Sequence, residues 1–219
     1  MDEIKQPLLI KKGAEAHLFL AEWHNKIVIL KRRLPKKYRV AALDDQIKTY
    51  RTIHESRLMH EAKKAGVPTP TIFFVDVKNS TIIMEFIKGK QLKQLCNEVS
   101  EKKRIQLFRE VGRLIGKLHK YGIVHGDLTT SNMIQASDGK IFFVDFGLSE
   151  KTRELEARGV DLHLMKRALQ STHFRYAEKC FDAIIEGYSN VLGAGEVRNV
   201  LDKIREIESR GRYIAERRR

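Results

Sequence analysis

The sequence has few cysteines and no long apolar stretch. Cys96 and Cys180 are too few for a disulfide framework, and no Cys-x-x-Cys or cysteine–histidine cluster indicates a structural zinc site. No stretch approaches the roughly 20 apolar residues of a membrane span, and the apolar run near the N-terminus is too short for a signal peptide. We therefore expect a soluble, unprocessed, cytoplasmic protein with no membrane association.

Acidic residues and prolines are also scarce in this chain of 219 residues. The 28 Asp and Glu residues face 42 Lys and Arg residues, which leaves a formal net charge of +14 at pH 7. Such an excess is typical of proteins with polyanionic partners, such as nucleic acid, phosphorylated ligands or an acidic protein. With four prolines, 14 glycines and 42% hydrophobic residues, the composition predicts a folded core in one large domain or two small lobes.

The first part of the chain carries strand patterns and one helix pattern. Short apolar runs over residues 8–31 suit an antiparallel meander, and helical spacing runs from Leu43 to Ala65, where Gly66 and two nearby prolines end it. Two further apolar runs, TIFFVDV and TIIMEFI, predict a hairpin. We therefore expect an N-terminal lobe over residues 1–87, with a small sheet and one long helix.

The second part of the chain has mainly helical patterns. Apolar spacing predicts helices over residues 100–119, 160–190 and 196–208, and the short strands MIQA and IFFVDF fall between the first two. We expect a helical C-terminal lobe over residues 88–208 and a basic tail over 209–219. Together the two parts predict an α+β fold.

The segment VHGDLTTSN (124–132) carries the strongest chemical signal. It has the D-L-x-x-x-N spacing of a kinase catalytic loop, and a D-F-G element begins at Asp145, eighteen residues after Asp127. A γ-phosphate must be neutralised by Mg²⁺ before a hydroxyl approaches it, and Mg²⁺ prefers hard oxygen ligands. We therefore predict that Asn132 and Asp145 hold Mg²⁺, and that Asp127 orients the attacking hydroxyl or water and accepts its proton.

A lysine and a glutamate complete the predicted site. Lys31 directly follows the apolar strand residues IVIL, where kinases keep the lysine that holds the α and β phosphates. Glu55 lies beside the apolar face of the predicted helix, where a carboxylate needs a cation. Glu61 is the competing partner, but its basic neighbours satisfy it on a solvated face, so we favour Glu55.

The loop that covers the phosphates departs from the usual kinase pattern. Kinases have G-x-G-x-x-G between the first two strands, whereas this chain has Gly13-Ala14-Glu15-Ala16. Backbone N–H groups of this loop still suit a phosphate cradle, although a single glycine limits close approach. The other interpretation of Gly13 is an ordinary turn.

A resemblance to one kinase family covers nearly the whole chain. The chain resembles the small atypical kinase of the KEOPS complex, the bud-site-selection or PRPK family, in the segments GAEA (13–16), VILKRRLPKKYR (28–39), RTIHESR (51–57), HGDLTTSN (125–132), VDFGLS (144–149) and VDL (160–162). The resemblance implies a minimal bilobal protein-kinase-like fold with ATP and Mg²⁺ in the cleft. It also implies serine/threonine autophosphorylation, ATPase activity within the complex, and support of threonylcarbamoyl adenosine formation beside the tRNA anticodon.

The resemblance also implies roles for individual residues. It assigns the functions given above to Lys31, Glu55, Asp127, Asn132 and Asp145. It adds an adenine hinge at residues 84–87, in which the backbone of Glu85 and Ile87 faces the base. The partners that it implies are the larger tRNA-modifying subunit and the other KEOPS subunits.

Two basic clusters are candidate contacts for tRNA. Six Lys or Arg residues lie between Lys31 and Arg39, and five arginines lie between Arg210 and Arg219. Clustered cations that neutralise several phosphates produce salt-dependent RNA binding, whereas the alternative is a solvated face or a frayed tail. The resemblance implies that the C-terminal tail approaches the nucleotide site of the larger subunit.

The segment after Asp145 limits the range of substrates. Fifteen residues separate Asp145 from Asp161 and contain no A-P-E element, so broad protein-kinase activity is doubtful. We expect Asp161 at a helix start, either bracing the catalytic loop or serving as a simple N-terminal acid. Two other functions stay open: a small-molecule kinase of the aminoglycoside or choline type, and a non-catalytic RNA-binding kinase shell.

Overall fold

A five-stranded sheet forms the first part of the chain. The computed structural model describes residues 4–216. The strands lie in the order β1-β2-β3-β5-β4, and each neighbouring pair is antiparallel. β3 is the central strand, so Lys31 lies inside the sheet, paired with Leu18 on one side and Ile82 on the other. The strand bounds are β1 Lys5–Lys12, β2 His17–Trp23, β3 Lys26–Arg32, β4 Ile72–Asp76 and β5 Thr81–Glu85.

One long helix, α1 (Ala41–Lys64), packs against this sheet. Thr52, Glu55, Met59 and Ala62 are all buried and recur at helical spacing, so they share the face that meets the sheet. Glu55 is therefore the carboxylate that α1 directs inward. After the helix, Gly66 has a φ of 77°, a left-handed conformation that glycine adopts without steric cost.

The second part of the chain is built mainly from helices. Three of its short strands form a separate antiparallel sheet in the order β6-β8-β9, and β7 pairs with β10. The elements are β6 Gly89–Gln91, α2 Leu92–Glu98, α3 Glu101–Tyr121, β7 Ile123–Val124, a 3-10 turn at Thr130–Asn132, β8 Met133–Ala136, β9 Ile141–Phe143, β10 Glu150–Lys151, α4 Leu155–Thr172, α5 Ala177–Leu192 and α6 Ala194–Glu216. The predicted α+β class is confirmed.

Helices α3 and α5 approach each other until their backbones touch. A Cβ atom added at Gly112 of α3 would lie 1.9 Å from the Ile184 carbonyl oxygen, and one added at Gly187 of α5 would lie 1.9 Å from the Arg109 carbonyl oxygen. Side chains larger than hydrogen are therefore excluded at both positions. The pair forms a rigid support, and the catalytic loop begins just after α3.

The main hydrophobic core runs from the sheet into the helices. It includes Met59 of α1, Phe108 of α3, Phe143 of β9 and Phe146 of the D-F-G element, all nearly inaccessible to solvent. Because Phe146 is part of this core, burial of its ring fixes the segment that carries Asp145. Among residues 4–216, no helix has both the length and the apolarity of a membrane span.

The structure differs from the sequence-based expectations at two basic segments. The last helix was predicted to end at residue 208, but α6 continues to Glu216, so most of the predicted tail is helical. Residues 217–219 of the basic cluster lie outside the described part of the chain. In the other cluster, Lys31 and Arg33 are 6% and 4% exposed, so they cannot contact tRNA.

Candidate active site

Three predicted site residues that are distant in sequence, Lys31, Glu55 and Asp145, lie in contact. The Nζ atom of Lys31 lies 2.6 Å from Oε1 of Glu55 and 2.6 Å from Oδ1 of Asp145. Strand β3 carries the lysine, the inner face of α1 carries Glu55, and the end of β9 leads into Asp145. The predicted partner Glu55 is therefore paired with Lys31, and Asp145, predicted only as a metal ligand, is a second ionic partner in the same cleft.

The charges of these groups support one another. Burial disfavours the ammonium of Lys31, but Glu55 and Asp145 outweigh this effect and raise the pKa of Lys31 above its ordinary value. Burial acts against the carboxylate of Asp145 as well, yet the positive charge of Lys31 holds the pKa of Asp145 below its ordinary value. The lysine is therefore charged at neutral pH, and Asp145 is ionised beside it.

Glu61, the competing glutamate, faces away from the cleft. It pairs with Lys64 and Lys151 and accepts a hydrogen bond from Tyr121 at 3.1 Å. These contacts, led by the hydrogen bond from Lys64, lower the pKa of Glu61 to about 2. Glu55, by contrast, is 1% exposed and lies against Lys31.

We expect Glu55→Gln to lower ATP turnover about 100-fold, because loss of the carboxylate removes one of the two anions that position Lys31. Glu61→Gln is the matched control, since it makes the same change six residues later on α1, outside the cleft. Steady-state ATP hydrolysis by the two variants tests this directly. Equal activity in both variants would contradict the role assigned to Glu55.

The side-chain amide of Asn132 holds the two predicted site residues of the catalytic loop, Asn132 and Asp127, together. Nδ2 of Asn132 donates to the backbone oxygen of Asp127 at 3.0 Å and to Oδ2 of the same residue at 2.8 Å. Asn132 lies on the 3-10 turn, which shortens the loop and brings the two side chains together. Because both amide hydrogens point to Asp127, the amide oxygen of Asn132 is the end that remains for a cation.

Asp161 braces the start of this loop. Its carboxylate accepts hydrogen bonds from the backbone N–H groups of His125 at 2.7 Å and Gly126 at 2.9 Å, and Nε2 of His119 lies 3.1 Å from it. The expectation that Asp161 lies at a helix start is wrong, because α4 begins at Leu155. The sequence left two interpretations of Asp161 open, a brace for the catalytic loop and a simple N-terminal acid. The structure shows the contacts of a brace.

Gly126 and Asp145 both have left-handed backbone conformations. Gly126 has a φ of 77°, and a Cβ atom there would lie 2.1 Å from the Leu148 carbonyl oxygen. Asp145 has a φ of 66°, which is rare for a residue with a side chain and costs about 1 kcal/mol or more. Burial of the neighbouring Phe146 ring offsets this strain and keeps Asp145 turned toward Lys31.

Two adjacent cavities meet at Lys31 and Asp145. The first, of about 280 Å³, is mainly apolar and is lined by Leu18, Ile29, Met84, Glu85, Ile87 and Val144, among others. The second, of about 400 Å³, is lined by the Gly13–Ala16 loop, Arg33 and Asp127, among others. An apolar cavity beside a charged one matches a ligand with a flat apolar end and an anionic end.

With this geometry in place, comparison with known proteins identifies the family. The chain matches the protein kinase domain family over residues 12–176. It is 49% identical over 211 residues to the KEOPS complex subunit Bud32 of Pyrococcus abyssi, a match that covers 94% of this chain and 96% of that protein. The chain belongs to the Bud32 kinase family. The family resemblance predicted from the sequence is confirmed.

Other relatives of this Bud32-family kinase are longer proteins. The chain is 40% identical over 207 residues to a protein of Methanothermobacter thermautotrophicus and 45% identical over 206 residues to one of Methanoculleus marisnigri. Both carry the name probable bifunctional tRNA threonylcarbamoyladenosine biosynthesis protein. The matches cover 94% of this chain but 37% and 36% of those two proteins, so most of each relative lies outside the match.

The Gly13–Ala16 loop of this Bud32-family kinase closes on itself and on neighbouring cations. The N–H of Gly13 donates to the Ala16 carbonyl oxygen at 3.0 Å. Lys36 donates to the carbonyl oxygen of Ala14, and Arg51 of α1 pairs with Glu15. The loop lies at the charged cavity, as expected, but the Gly13 N–H is already occupied.

Glu85 and Ile87, the residues predicted to form the hinge, both line the apolar cavity of the kinase. The N–H of Glu85 donates to the Thr71 carbonyl oxygen at 2.8 Å. Its own carbonyl oxygen is therefore the group that remains for a ligand, together with the backbone of Ile87.

The site contains one buried cation that sequence reasoning missed. Arg33 was counted only within a basic surface cluster, but its Nη2 atom lies 2.5 Å from Oε2 of Glu55. Strand alternation could have predicted the position of Arg33, because residues 31 and 33 of an extended chain lie on the same face. His119 is a second residue that no motif indicated, and it contacts the brace residue Asp161.

Proposed function

We propose that this chain is an ATP-dependent serine/threonine phosphotransferase, capable of autophosphorylation, and an ATPase that works as a subunit of a KEOPS-type assembly. The observation that carries the proposal is the position of Lys31 between Glu55 and Asp145, at the meeting point of the cavity lined by Asn132 and the cavity lined by Asp127. Kinases use such a constellation to hold a triphosphate and transfer its terminal phosphoryl group.

The two cavities divide the nucleotide between them. Adenine fits the apolar cavity, where the carbonyl oxygen of Glu85 and the backbone of Ile87 face the base. Lys31 then reaches the α and β phosphates from the boundary between the cavities. The loop over residues 13–16 covers the phosphates, with Arg51 and Lys36 adding positive charge behind it.

The donor set suits Mg²⁺, the metal that we propose. Asp145 provides an ionised carboxylate that is about half exposed, and Asn132 provides an amide oxygen, which are the hard ligands that Mg²⁺ prefers. Two protein ligands are enough, because Mg²⁺ in kinases takes further oxygens from phosphate and water. Bound there, the metal would neutralise charge on the phosphates.

Asp127 carries out the proton transfer. Its Oδ2 accepts the Asn132 amide, which holds the carboxylate and leaves the other oxygen for the acceptor hydroxyl. As the acceptor oxygen bonds to the γ-phosphorus, the bond to the β–γ bridging oxygen breaks and ADP leaves. The hydroxyl proton passes to Asp127. Water in place of the hydroxyl gives hydrolysis.

The relatives support a role in tRNA modification. Pyrococcus Bud32 is named as a KEOPS subunit, and the bifunctional relatives are named for tRNA threonylcarbamoyladenosine biosynthesis. Because the matching region of the latter is part of a longer bifunctional protein, we propose that this chain acts beside a larger tRNA-modifying subunit in the cytoplasm. Candidate tRNA contacts are Lys36, Lys37, Arg39 and the α6 segment from Arg210 onward.

The deciding experiment measures ATP turnover by this chain alone, with the larger subunit, and with that subunit and tRNA. We expect turnover to rise severalfold only in the mixture, because an assembly ATPase is coupled to its partners. Asp127→Asn in the same mixture is the control for hydrolysis by other components.

Other outcomes of this experiment identify the competing functions. Partner-independent phosphorylation of a defined protein would indicate a signalling kinase instead. Phosphate transfer to small hydroxylated acceptors would indicate a small-molecule kinase. Tight tRNA binding that is indifferent to Lys31→Ala, with no ATP consumption, would indicate an RNA-binding kinase shell.

A further inference from the structure

Arg51 of α1 lies at the charged cavity. It precedes Glu55 by four residues, so the two side chains leave the helix on the same face. Arg51 lines the charged cavity together with Asp127 and Asp145, and it is not among the residues that line the apolar cavity. In the proposed function the terminal phosphate lies between those two acids. Arg51 is therefore at the end of the nucleotide that distinguishes ATP from ADP.

The other cations that line this cavity are placed differently. Lys31 and Arg33 are buried, and each pairs with Glu55. Lys11 lines both cavities, so its charge acts along the whole nucleotide. Among the described residues that line the charged cavity, Arg51 is thus the cation that serves this end alone and is not held by Glu55.

Arg51 pairs instead with Glu15, in the loop over residues 13–16. The hydrogen bond from Arg51 holds the pKa of Glu15 below its ordinary value, so this carboxylate is charged at neutral pH. A carboxylate in a loop that covers phosphates repels them. The side chains of Arg51 and Glu15 are 31% and 51% exposed, so their ion pair contributes little free energy and another anion can replace Glu15.

The loop itself has a weak backbone cradle for a phosphate. Glycine-rich loops bind phosphate through their backbone N–H groups, but the N–H of Gly13 already donates to the Ala16 carbonyl oxygen at 3.0 Å. A guanidinium beside the loop compensates for this, because its planar fork of donors matches a phosphate and carries a full positive charge.

We infer that Arg51 binds the terminal phosphate of ATP, and that this phosphate takes the place of Glu15 at the guanidinium. The inference rests on the proposed function, in that the triphosphate is taken to lie in the charged cavity. It makes Arg51 a nucleotide ligand that favours ATP over ADP, and it makes Glu15 a competitor of the terminal phosphate.

The test compares calorimetric affinities for ADP and for the non-hydrolysable β,γ-imido analogue of ATP, at fixed Mg²⁺, in the wild type and in Arg51→Met. We expect the analogue to bind about tenfold more weakly to the variant, since hydrogen bonds to charged groups are the strong ones, and ADP to bind within about twofold of the wild type. Arg51→Lys returns part of the affinity, because the charge returns without the planar fork. Arg57→Met is the matched control, since Arg57 is an exposed arginine of α1 outside both cavity linings.

Glu15→Gln tests the competition from the other side. We expect this variant to bind the analogue about threefold more tightly, in keeping with the small free energy of an exposed ion pair, and to bind ADP unchanged. Because Glu15 acts through Arg51, the gain should disappear when Glu15→Gln is combined with Arg51→Met. Unchanged or weaker binding of the analogue by Glu15→Gln would overturn the inference, and so would a gain that persists in the double variant.

The remaining outcomes separate this inference from the proposed function. Equal weakening of ADP and the analogue in Arg51→Met would reduce Arg51 to an anchor of the loop and overturn the inference, as would an unchanged affinity for the analogue. In both cases the wild type still binds nucleotide, so the proposed function stands. If the wild type binds neither nucleotide, the proposed function fails and the inference with it. If Arg51→Met does not fold, Glu15→Gln decides the question alone.

Discussion

We expect Asp127→Asn to lower ATP turnover about a thousandfold, within the range that general base catalysis contributes. An amide still accepts the hydrogen bond of Asn132 but cannot take up the proton of the attacking hydroxyl. The affinity for ATP should stay within about twofold, because the proposed role of Asp127 is toward the acceptor hydroxyl, whereas Lys31, Asn132 and Asp145 hold the nucleotide and its metal. Single-turnover kinetics together with equilibrium nucleotide binding separates the two effects.

Asp138→Asn is the control for this experiment. Asp138 lies in the turn between β8 and β9 and pairs with Lys140 at the surface. The same chemical change there should leave turnover unchanged. If Asp127→Asn kept the activity of the wild type, Asp127 would not be the base, and the attacking hydroxyl would have to lose its proton to another group.

We expect Asp145→Asn to lower ATP turnover by about a thousandfold as well, while the fold stays stable. The amide has no charge to hold Mg²⁺ against the phosphates, so electrostatic stabilisation of the transferred group is lost. Lys31 keeps Glu55 as its partner, and Asp145 is about half exposed. Its loss should therefore shift the melting temperature by no more than about 3 °C.

Mg²⁺ titration of the Asp145→Asn variant, alongside thermal unfolding, checks both parts of this prediction. Asp45→Asn provides the comparison, since Asp45 is an exposed acid on α1 that pairs with Lys48. A large drop in melting temperature for Asp145→Asn would show that Asp145 is chiefly a structural counterion. Full activity at ordinary Mg²⁺ concentration would exclude it as a metal ligand.

Most elements of the fold were predictable because their patterns are local. Helix α3 begins after Ser100, whose hydroxyl accepts from the Lys103 N–H, and ends at Gly122 with a φ of 85°. The end of α6 was not predictable in this way. Apolar spacing fades after residue 208, but Lys166 pairs with Glu208 and Arg210 with Glu156, contacts between α4 and α6 that no local pattern reveals.

The residues of the site also divide into those that a local pattern predicts and those that only tertiary contacts reveal. Lys31, Asp127, Asn132 and Asp145 were predictable as candidates because their spacing is constrained by chemistry, and Glu55 followed from the cost of burying a carboxylate. The second partner of Glu55 was missed, since a run of basic residues gives no sign of which ones point inward. Separating buried from exposed members of that run requires the strand to be placed in three dimensions.

The contact between α3 and α5 has a consequence for which part of the enzyme can move. With glycine at both crossing points, the backbones of the two helices are in direct contact. We therefore expect the half of the molecule that carries the catalytic loop to move as one rigid unit. Entry and exit of a nucleotide then depend on movement of the five-stranded sheet, which is joined to this rigid unit through the short connection between β5 and β6. We therefore expect the cleft to open and close mainly by movement of the sheet at that connection.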